Sequence, residues 1–580
     1  MNKHIICEMG KFDVPIVQNQ SPFKVDLLRS NIALFGSSMS GKTNFLRALI
    51  HELHKKMNPK NERIFILDFS GGLLEYKKFP LVSAYFDSSN EEYVKRVFKI
   101  LETILKENIA ALGSKNYSTV SENQPPHTTF IIDNLNSFVD ENRYAAYHEK
   151  FGRLCREGRS RGITIVFSAS DTKGVSRYLL SFEQKVALNL PADKYLEIFD
   201  GKADAVGNIS GRGYANITEK LEDVTGTYNM NAPYEVQCLK AADIEQENSE
   251  FMLRLHEKYQ YAEHPTEPYG LHVKRYLTFD RELRSADFER LAQPLNEDEK
   301  NMLSANAIPV GLDYIDFKPV YADPDKSRVI AIYGKKQFGK TNLLSRILEN
   351  LVESKSNARF LFFDDGREQL NDFYKKYRDK VTCDRIHQFE VKDLQLEDGS
   401  VKRCKLSPIQ QFYLFVHEHV MNLKDPNALD GTAINPVYGV KNYETDLIPD
   451  GMDSSEACPV VFIIQSKSVY LNAKNNTYFL RYLFSELLDI AEERDFCFLF
   501  TDVQKITDQE ANAVFNSMVK TVFLLDNIAE FAGERGSKSV FGEMDVKALK
   551  EEYARCELGD GYSYDVEADS LKKMKFILHE

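Results

Sequence analysis

Short runs dense in Ile, Val, Leu and Phe alternate along the chain with stretches whose apolar positions recur every three or four residues. In the first half the runs are NIALFG (31–36), RIFILD (63–68), TTFIID (128–133) and GITIVFSA (162–169). The second half repeats them in the same order as VIAIYG (329–334), ARFLFFD (358–364), PVVFIIQ (459–465) and DFCFLFTD (495–502). Continuous apolar runs of about four to eight residues mark strands buried on both faces, and the helical period between them supplies crossovers. The pattern predicts mostly parallel sheets with helices on both faces. Each half then closes on a hairpin signal, Gly211-Arg212-Gly213-Tyr214 and Gly559-Asp560-Gly561-Tyr562.

Matched landmarks in a fixed order indicate two copies of one module. The first is expected over residues 1–245 and the second over 301–580. Residues 246–300 are polar and helix-prone, poor in the Gly and Ser of flexible linkers, and predict a helical connector. Its Tyr261, Tyr269 and Tyr276 are read as ordinary packing residues. The second module carries an insertion near 400–457 with loop chemistry, including NALDGTAINPVYG.

Composition narrows the class. With 43% hydrophobic and 28% charged residues the chain is globular rather than disordered. No apolar run approaches the roughly 20 residues that span a bilayer, and MNKHIICEMGKFDVP lacks a secretory layout. Eight scattered cysteines without a CxxC pair fit reduced thiols better than disulfides or zinc. A net charge of −13 disfavours a sequence-blind grip on nucleic acid.

The chemistry sits after the first strand of each module. Gly36-Ser37-Ser38-Met39-Ser40-Gly41-Lys42-Thr43 and Gly334-Lys335-Lys336-Gln337-Phe338-Gly339-Lys340-Thr341 both read G-x-x-x-x-G-K-T between strand and helix. In such a loop successive backbone N–H groups make a concavity for phosphates, and the helix N-terminus adds a favourable field. Lys42 and Lys340 would reach the β and γ phosphates, and Thr43 and Thr341 would ligate Mg²⁺. ATP and Mg²⁺ are therefore the expected cofactors.

The partner strand decides whether binding becomes hydrolysis. Asp133 is the expected Mg²⁺-organising carboxylate, but Asn134 follows where a water-polarising Glu commonly stands, and an amide cannot take a proton. Asp140 and Glu141 lie too far along to substitute and read as solvated residues. In the second module Gln465 occupies the place of Asp133, while Asp502 ends the next strand and fits a sensor position. The expectation is a slow first site and an inactive second one. Arg159 and Arg161, in EGRSRGITIV, are candidates for completing a neighbouring subunit's site; a solvated helix end favoured by the dipole is the alternative.

Taken together, GSSMSGKT, FILDFSGG, FIIDN, EGRSRGITIVFSAS and GRGY resemble the FtsK/SpoIIIE family of P-loop ATPases. Within that family, GKFDVPIVQNQSPFKVDL, the segment LDFSGGLLEYKKFPLVSAYF and the closing LGDGYSYDVEADSLKKMKF are similar to the EssC/EccC ATPases of type VII secretion. The resemblance implies two tandem RecA-like P-loop NTPase domains matching the second and third ATPase modules. It also implies an ATP-binding role in exporting small WxG-type helical proteins, with the second domain docking the cargo. Further implications are a membrane-embedded partner or upstream ATPase half, a homo-oligomer such as a hexamer, and a cytoplasmic location at the inner face of the membrane. Asn134 and Gln465 depart from the DNA-pumping branch, where an Asp-Glu pair is expected. A DNA-translocating or conjugation-type ATPase of the FtsK/HerA superfamily is the rival, and a nucleotide-stabilised scaffold the third possibility.

Overall fold

The computed structural model describes residues 4–579 except 15–18, 88–90, 121, 200, 217–232, 247–248, 260–275, 277, 280–281, 336, 365–367, 396–400, 407, 409–410, 413–414, 417–458, 466–486, 489–490, 493, 504–518, 527 and 529–555. The chain divides into two compact units, Met1–Thr278 and Phe279–Glu580, each with its own sheet and core. Tyr261 and Tyr269 and most of the 400–457 insertion lie outside the described residues.

In the first unit the hairpin β1 (Ile6–Val14) and β2 (Asn19–Asp26) precedes β3 (Ile32–Phe35) and α1 (Lys42–Lys56). The chain continues through β4 (Glu62–Asp68), β5 (Val82–Asp87), α2 (Glu91–Leu112), β6 (His127–Asp133), α3 (Leu135–Asp140) and α4 (Ala145–Glu157). It closes with β7 (Ile163–Ala169), β8 (Gln184–Leu188), α5 (Ala192–Ile198), β9 (Arg212–Ala215), β10 (Tyr234–Cys238) and α6 (Glu250–Tyr259). The strands form one sheet in the order β2-β1-β10-β9-β8-β3-β7-β6-β4-β5. Neighbours from β8 to β5 are parallel, and the other four strands extend the sheet antiparallel. The division follows the sequence. The parallel strands are buried along nearly their whole length, whereas β1 alternates buried Cys7, Met9 and Phe12 with exposed Glu8 and Lys11, as a half-solvated strand does.

Alternation along the parallel strands separates two packed faces. Ile32, Leu34, Ile64, Ile66, Ile131 and Val166 pack with Phe45, Leu46 and Leu49 of α1. On the other face Phe130 meets Phe98 of α2 at 6.2 Å, edge to face. Helix α6 also joins the α1 face, burying Phe251, Met252, Leu255 and Tyr259. Its Phe251 ring stacks on His51 at 3.9 Å. The last carbonyls of a helix have no partner within it. Here Lys258 Nζ donates to the carbonyls of His54, Lys55 and Met57 at 2.8, 3.0 and 2.8 Å. The Tyr259 hydroxyl adds bonds to the His54 and Met57 carbonyls.

The second unit opens with α7 (Ser285–Leu291) and α8 (Glu297–Asn301), then β11 (Ile308–Asp313), β12 (Pro319–Ala322), β13 (Val329–Gly334) and α9 (Lys340–Ser354). There follow β14 (Arg359–Phe363), α10 (Glu368–Tyr377), β15 (Thr382–Ile386), the hairpin β16 (Glu390–Gln395) and β17 (Val401–Leu406), and β18 (Val460–Gln465). Its last strands are β19 (Cys497–Val503), β20 (Thr521–Leu525), β21 (Asp560–Asp565) and β22 (Ser570–Phe576). The sheet order, β12-β11-β22-β21-β20-β13-β19-β18-β14-β15, reproduces the first unit position for position. Among the described residues, β16 and β17 stand apart from it as a separate two-stranded sheet. The repeat seen in the sequence is a repeat of topology.

Candidate functional site

The first loop leaves β3 at Gly36 and enters α1 at Lys42. Its roots are fixed by the sheet: Gly36 N donates to the Ala169 carbonyl and Ser37 N to that of Asn189, both at 3.1 Å. Gly41 caps α1 in the left-handed region at φ 105°, where a Cβ would also lie 2.9 Å from the Gly211 nitrogen. Gly211 N in turn donates to the Ser40 carbonyl at 2.8 Å, so the Gly-Arg-Gly-Tyr segment buttresses the loop. Ser37, Ser38 and the 91% exposed Met39 form the loop's outer arc. Lys42 Nζ crosses the concavity to the carbonyls of Gly36 (2.6 Å) and Ser37 (2.8 Å). Burial lowers its pKa, an effect opposed by the charge of Asp133.

Asp133 stands at the end of β6, in register with Asp68 at the end of β4. Thr43 Oγ1 lies 3.5 Å from its Oδ2. Two hydroxyls hold the carboxylate: Ser70 on Oδ2 and Ser168, at the end of β7, on Oδ1. Asp68 is tied down differently. It accepts the backbone N–H groups of Ser70, Gly71 and Leu73 and the Tyr85 hydroxyl. Ser70 Oγ also lies 3.0 Å from Asp68 Oδ1, so one hydroxyl bridges two carboxylates. Arg47 of α1 fixes the turn by donating to the Gly72 carbonyl. Ser168, Ser70 and Tyr85 were not singled out from the sequence; a small hydroxyl residue at a strand end next to the candidate acid is the signal that marks Ser168.

Oxygen donors of this kind suit Mg²⁺, which is held by one or two carboxylates together with phosphates and waters rather than by an all-protein cage. Among the described residues no cluster of three or more His, Cys, Asp or Glu side chains could hold a metal. Asn134 takes up the left-handed region at φ 67° and donates its amide to Ser137 Oγ at 2.8 Å. Asp140 is exposed and Glu141 pairs with Arg143, in agreement with their reading as solvated residues. Arg159 and Arg161 form a 3-10 turn before β7, at the end of the sheet opposite the loop. Arg161 donates to the Gly113 and Lys115 carbonyls. The structure thus gathers Gly36–Thr43 with Asp133 and leaves both arginines apart from them.

The second loop has the same course. Gly339 caps α9 at φ 100° and Lys340 Nζ donates to the carbonyls of Gly334 and Lys335. Gln337 is also left-handed, at φ 69°, Phe338 packs on the core, and Thr341 lies in the first turn of α9. Lys336 and the side chain of Asp502 lie outside the described residues. Register places Gln465 beside Thr501, and Asp133 lies beside Ser168, whose hydroxyl it accepts. Asp364 follows β14 as Asp68 ends β4, and Arg385 occupies the register position of Tyr85. Arg385 grips Asp364 with two bonds of 3.0 and 3.1 Å.

Residues 6–181 match the FtsK/SpoIIIE family. The type VII secretion system protein EssC of Staphylococcus aureus (strain MRSA252) is 23% identical over 425 residues, 70% of this chain and 27% of that protein. The chain therefore spans about a quarter of that relative's length. Among solved structures, ATPases 2 and 3 of EssC from Geobacillus thermodenitrificans share the fold with a TM-score of 0.60 at 17% identity, covering 99% of this chain and 96% of that one. Thermomonospora curvata EccC (ATPases 2 and 3), in complex with a signal sequence peptide, aligns with a TM-score of 0.56 at 17% identity over 99% and 93%. No helix among the described residues is long and apolar enough to cross a membrane.

Proposed function

From a first module that is an FtsK/SpoIIIE domain, we propose that the chain is the ATP-binding tandem of a type VII secretion motor. The observation that carries this reading is the Asp133 carboxylate. It is buried, held on both oxygens by serine hydroxyls, and lies 3.5 Å from the Thr43 hydroxyl at the mouth of the phosphate loop. Backbone N–H groups of Gly36 to Thr43 receive the phosphate chain, and Lys42 swings from the Gly36 and Ser37 carbonyls onto it. Thr43 and Asp133 would hold Mg²⁺, which would neutralise phosphate charge when bound. Asn134, with its amide turned to Ser137, offers no base to the attacking water, so turnover is slow.

Arg159 and Arg161, remote from their own loop, serve a neighbouring copy in a homo-oligomeric, hexameric ring. The second module docks WxG-type cargo; a signal sequence peptide accompanies the related EccC tandem. The chain works in the cytoplasm at the inner face of the membrane, through a membrane-embedded or upstream ATPase partner.

Steady-state ATP turnover with and without duplex DNA, against Lys42→Ala, tests this. ATP binding with slow, DNA-indifferent turnover is expected, together with binding of a WxG-type protein by the second module. Strong DNA-stimulated turnover that disappears in Lys42→Ala would instead make the chain a DNA-translocating or conjugation-type motor.

A further inference from the structure

The two phosphate loops share a backbone but not a charge pattern. Around the first, two carboxylates end adjacent strands: Asp133, bound by hydroxyls, and Asp68, bound by backbone N–H groups and hydroxyls. A phosphate chain at that loop therefore lies beside two carboxyl side chains, which a divalent cation would bridge to it. Around the second, the place of Asp133 holds the neutral amide of Gln465. The place of Asp68 holds Asp364, whose two oxygens are both bound by the Arg385 guanidinium. Arg385 is fixed further by Asn371 at 2.7 Å.

Two additional features favour an anion. Lys335 stands where the first loop has Ser37 and adds an ammonium that pairs with Asp526 at 3.4 Å. Thr501 corresponds to Ser168, which points its hydroxyl at Asp133; its own hydroxyl is buried, the residue being 1% exposed, and has no hydrogen-bond partner among the described residues. Among the described residues the strand ends thus present an amide and an arginine-paired carboxylate where the first module presents two carboxylates, with Lys340 and the Lys335–Asp526 pair at the loop. The side chains of Asp365 and Asp502 lie outside the described residues.

We propose that the second loop is a metal-independent site for the phosphate chain of a nucleotide, so that the two modules respond to different species: Mg²⁺-bound nucleotide at the first and metal-free nucleotide at the second. This uses the reading of the first loop as an Mg²⁺·ATP site only as the internal comparison. The test titrates a fluorescent ATP analogue into the full chain in excess Mg²⁺ or excess EDTA. Lys42→Ala isolates the second loop and Lys340→Ala the first.

In Lys42→Ala the two Kd values are expected to agree within about twofold, whereas in Lys340→Ala the Kd weakens at least about tenfold in EDTA. Inorganic tripolyphosphate should displace the analogue from Lys42→Ala and adenosine should not; the reverse would overturn a phosphate-chain site. Adding Gln465→Asp to Lys42→Ala should weaken EDTA binding about tenfold by returning a carboxylate to the strand end. Mg²⁺-dependent binding in Lys42→Ala, or none at all while Lys340→Ala still binds, overturns the proposal and leaves the first-loop reading intact. Loss of binding in Lys340→Ala alone overturns the first-loop reading instead.

Discussion

Gly72 tests whether Thr43 belongs to a metal site. A Cβ built on Gly72 would lie 2.6 Å from Thr43 Cγ2 and 3.4 Å from both Thr43 Oγ1 and Ser70 Oγ. Carbon atoms in ordinary contact sit about 3.5–4.0 Å apart, so Gly72→Ala demands roughly 1 Å of movement. Gly72 is not among the positive-φ glycines, and the backbone accepts alanine without strain. The yielding group is Thr43, a β-branched residue with few rotamers, and its hydroxyl leaves the position 3.5 Å from Asp133. Overpacking of this kind costs about 1–3 kcal/mol, which at about 1.4 kcal/mol per decade is on the order of 10- to 100-fold in affinity. The penalty falls on Mg²⁺-dependent binding, because Lys42 and the loop amides are untouched. The assay is the Kd of a fluorescent ATP analogue in Mg²⁺ and in EDTA, in a Lys340→Ala background that silences the second loop. An unchanged Kd in Mg²⁺, or an equal loss in both media, would refute the assignment of Thr43.

Two further outcomes concern the packing behind the loop. Burial pushes the pKa of His51 down from 6.5 to about 4 and that of His54 to about 3, so both are neutral when folded. The unfolded chain binds more protons below pH 6.5. Stability is therefore full above neutrality and falls as the pH drops from 6.5 towards the folded values, by about 1.4 kcal/mol per pH unit for each histidine. Urea midpoints at pH 7 and pH 5 should show this, and His51→Phe should remove about half of the slope; a wild-type chain with no slope sinks the argument. Phe251→Ala empties a 7% exposed site stacked on His51 and should cost about 3–5 kcal/mol. Because the chain has no Trp, tyrosine fluorescence can follow unfolding, and a loss below about 1 kcal/mol would show that α6 does not stabilise α1.

Much of this architecture was legible from residues alone, for a physical reason. A strand buried on both faces must be apolar along its length, so the central parallel strands announce themselves, and so do the glycines of the two loops. Gln465 was placed opposite Asp133 by counting strands, and the register agrees. What stayed hidden depends on neighbours across the sheet. Nothing in the sequence around Arg385 says that it grips Asp364, because the two belong to different strands and meet only through register. Ser70 and Ser168 are unremarkable as residue types until their hydroxyls converge on one carboxylate. The α6 segment reads as a polar connector because its buried positions are a minority of its length, although they close the first core.

The capping of α1 by α6 has a mechanical consequence. A 15-residue helix is about 22 Å long, with the phosphate loop at one end and the Lys258 and Tyr259 anchors at the other. A close-packed helix moves as a rod. An axial shift of α1 would therefore be passed at its far end to α6, through Lys258 and Tyr259.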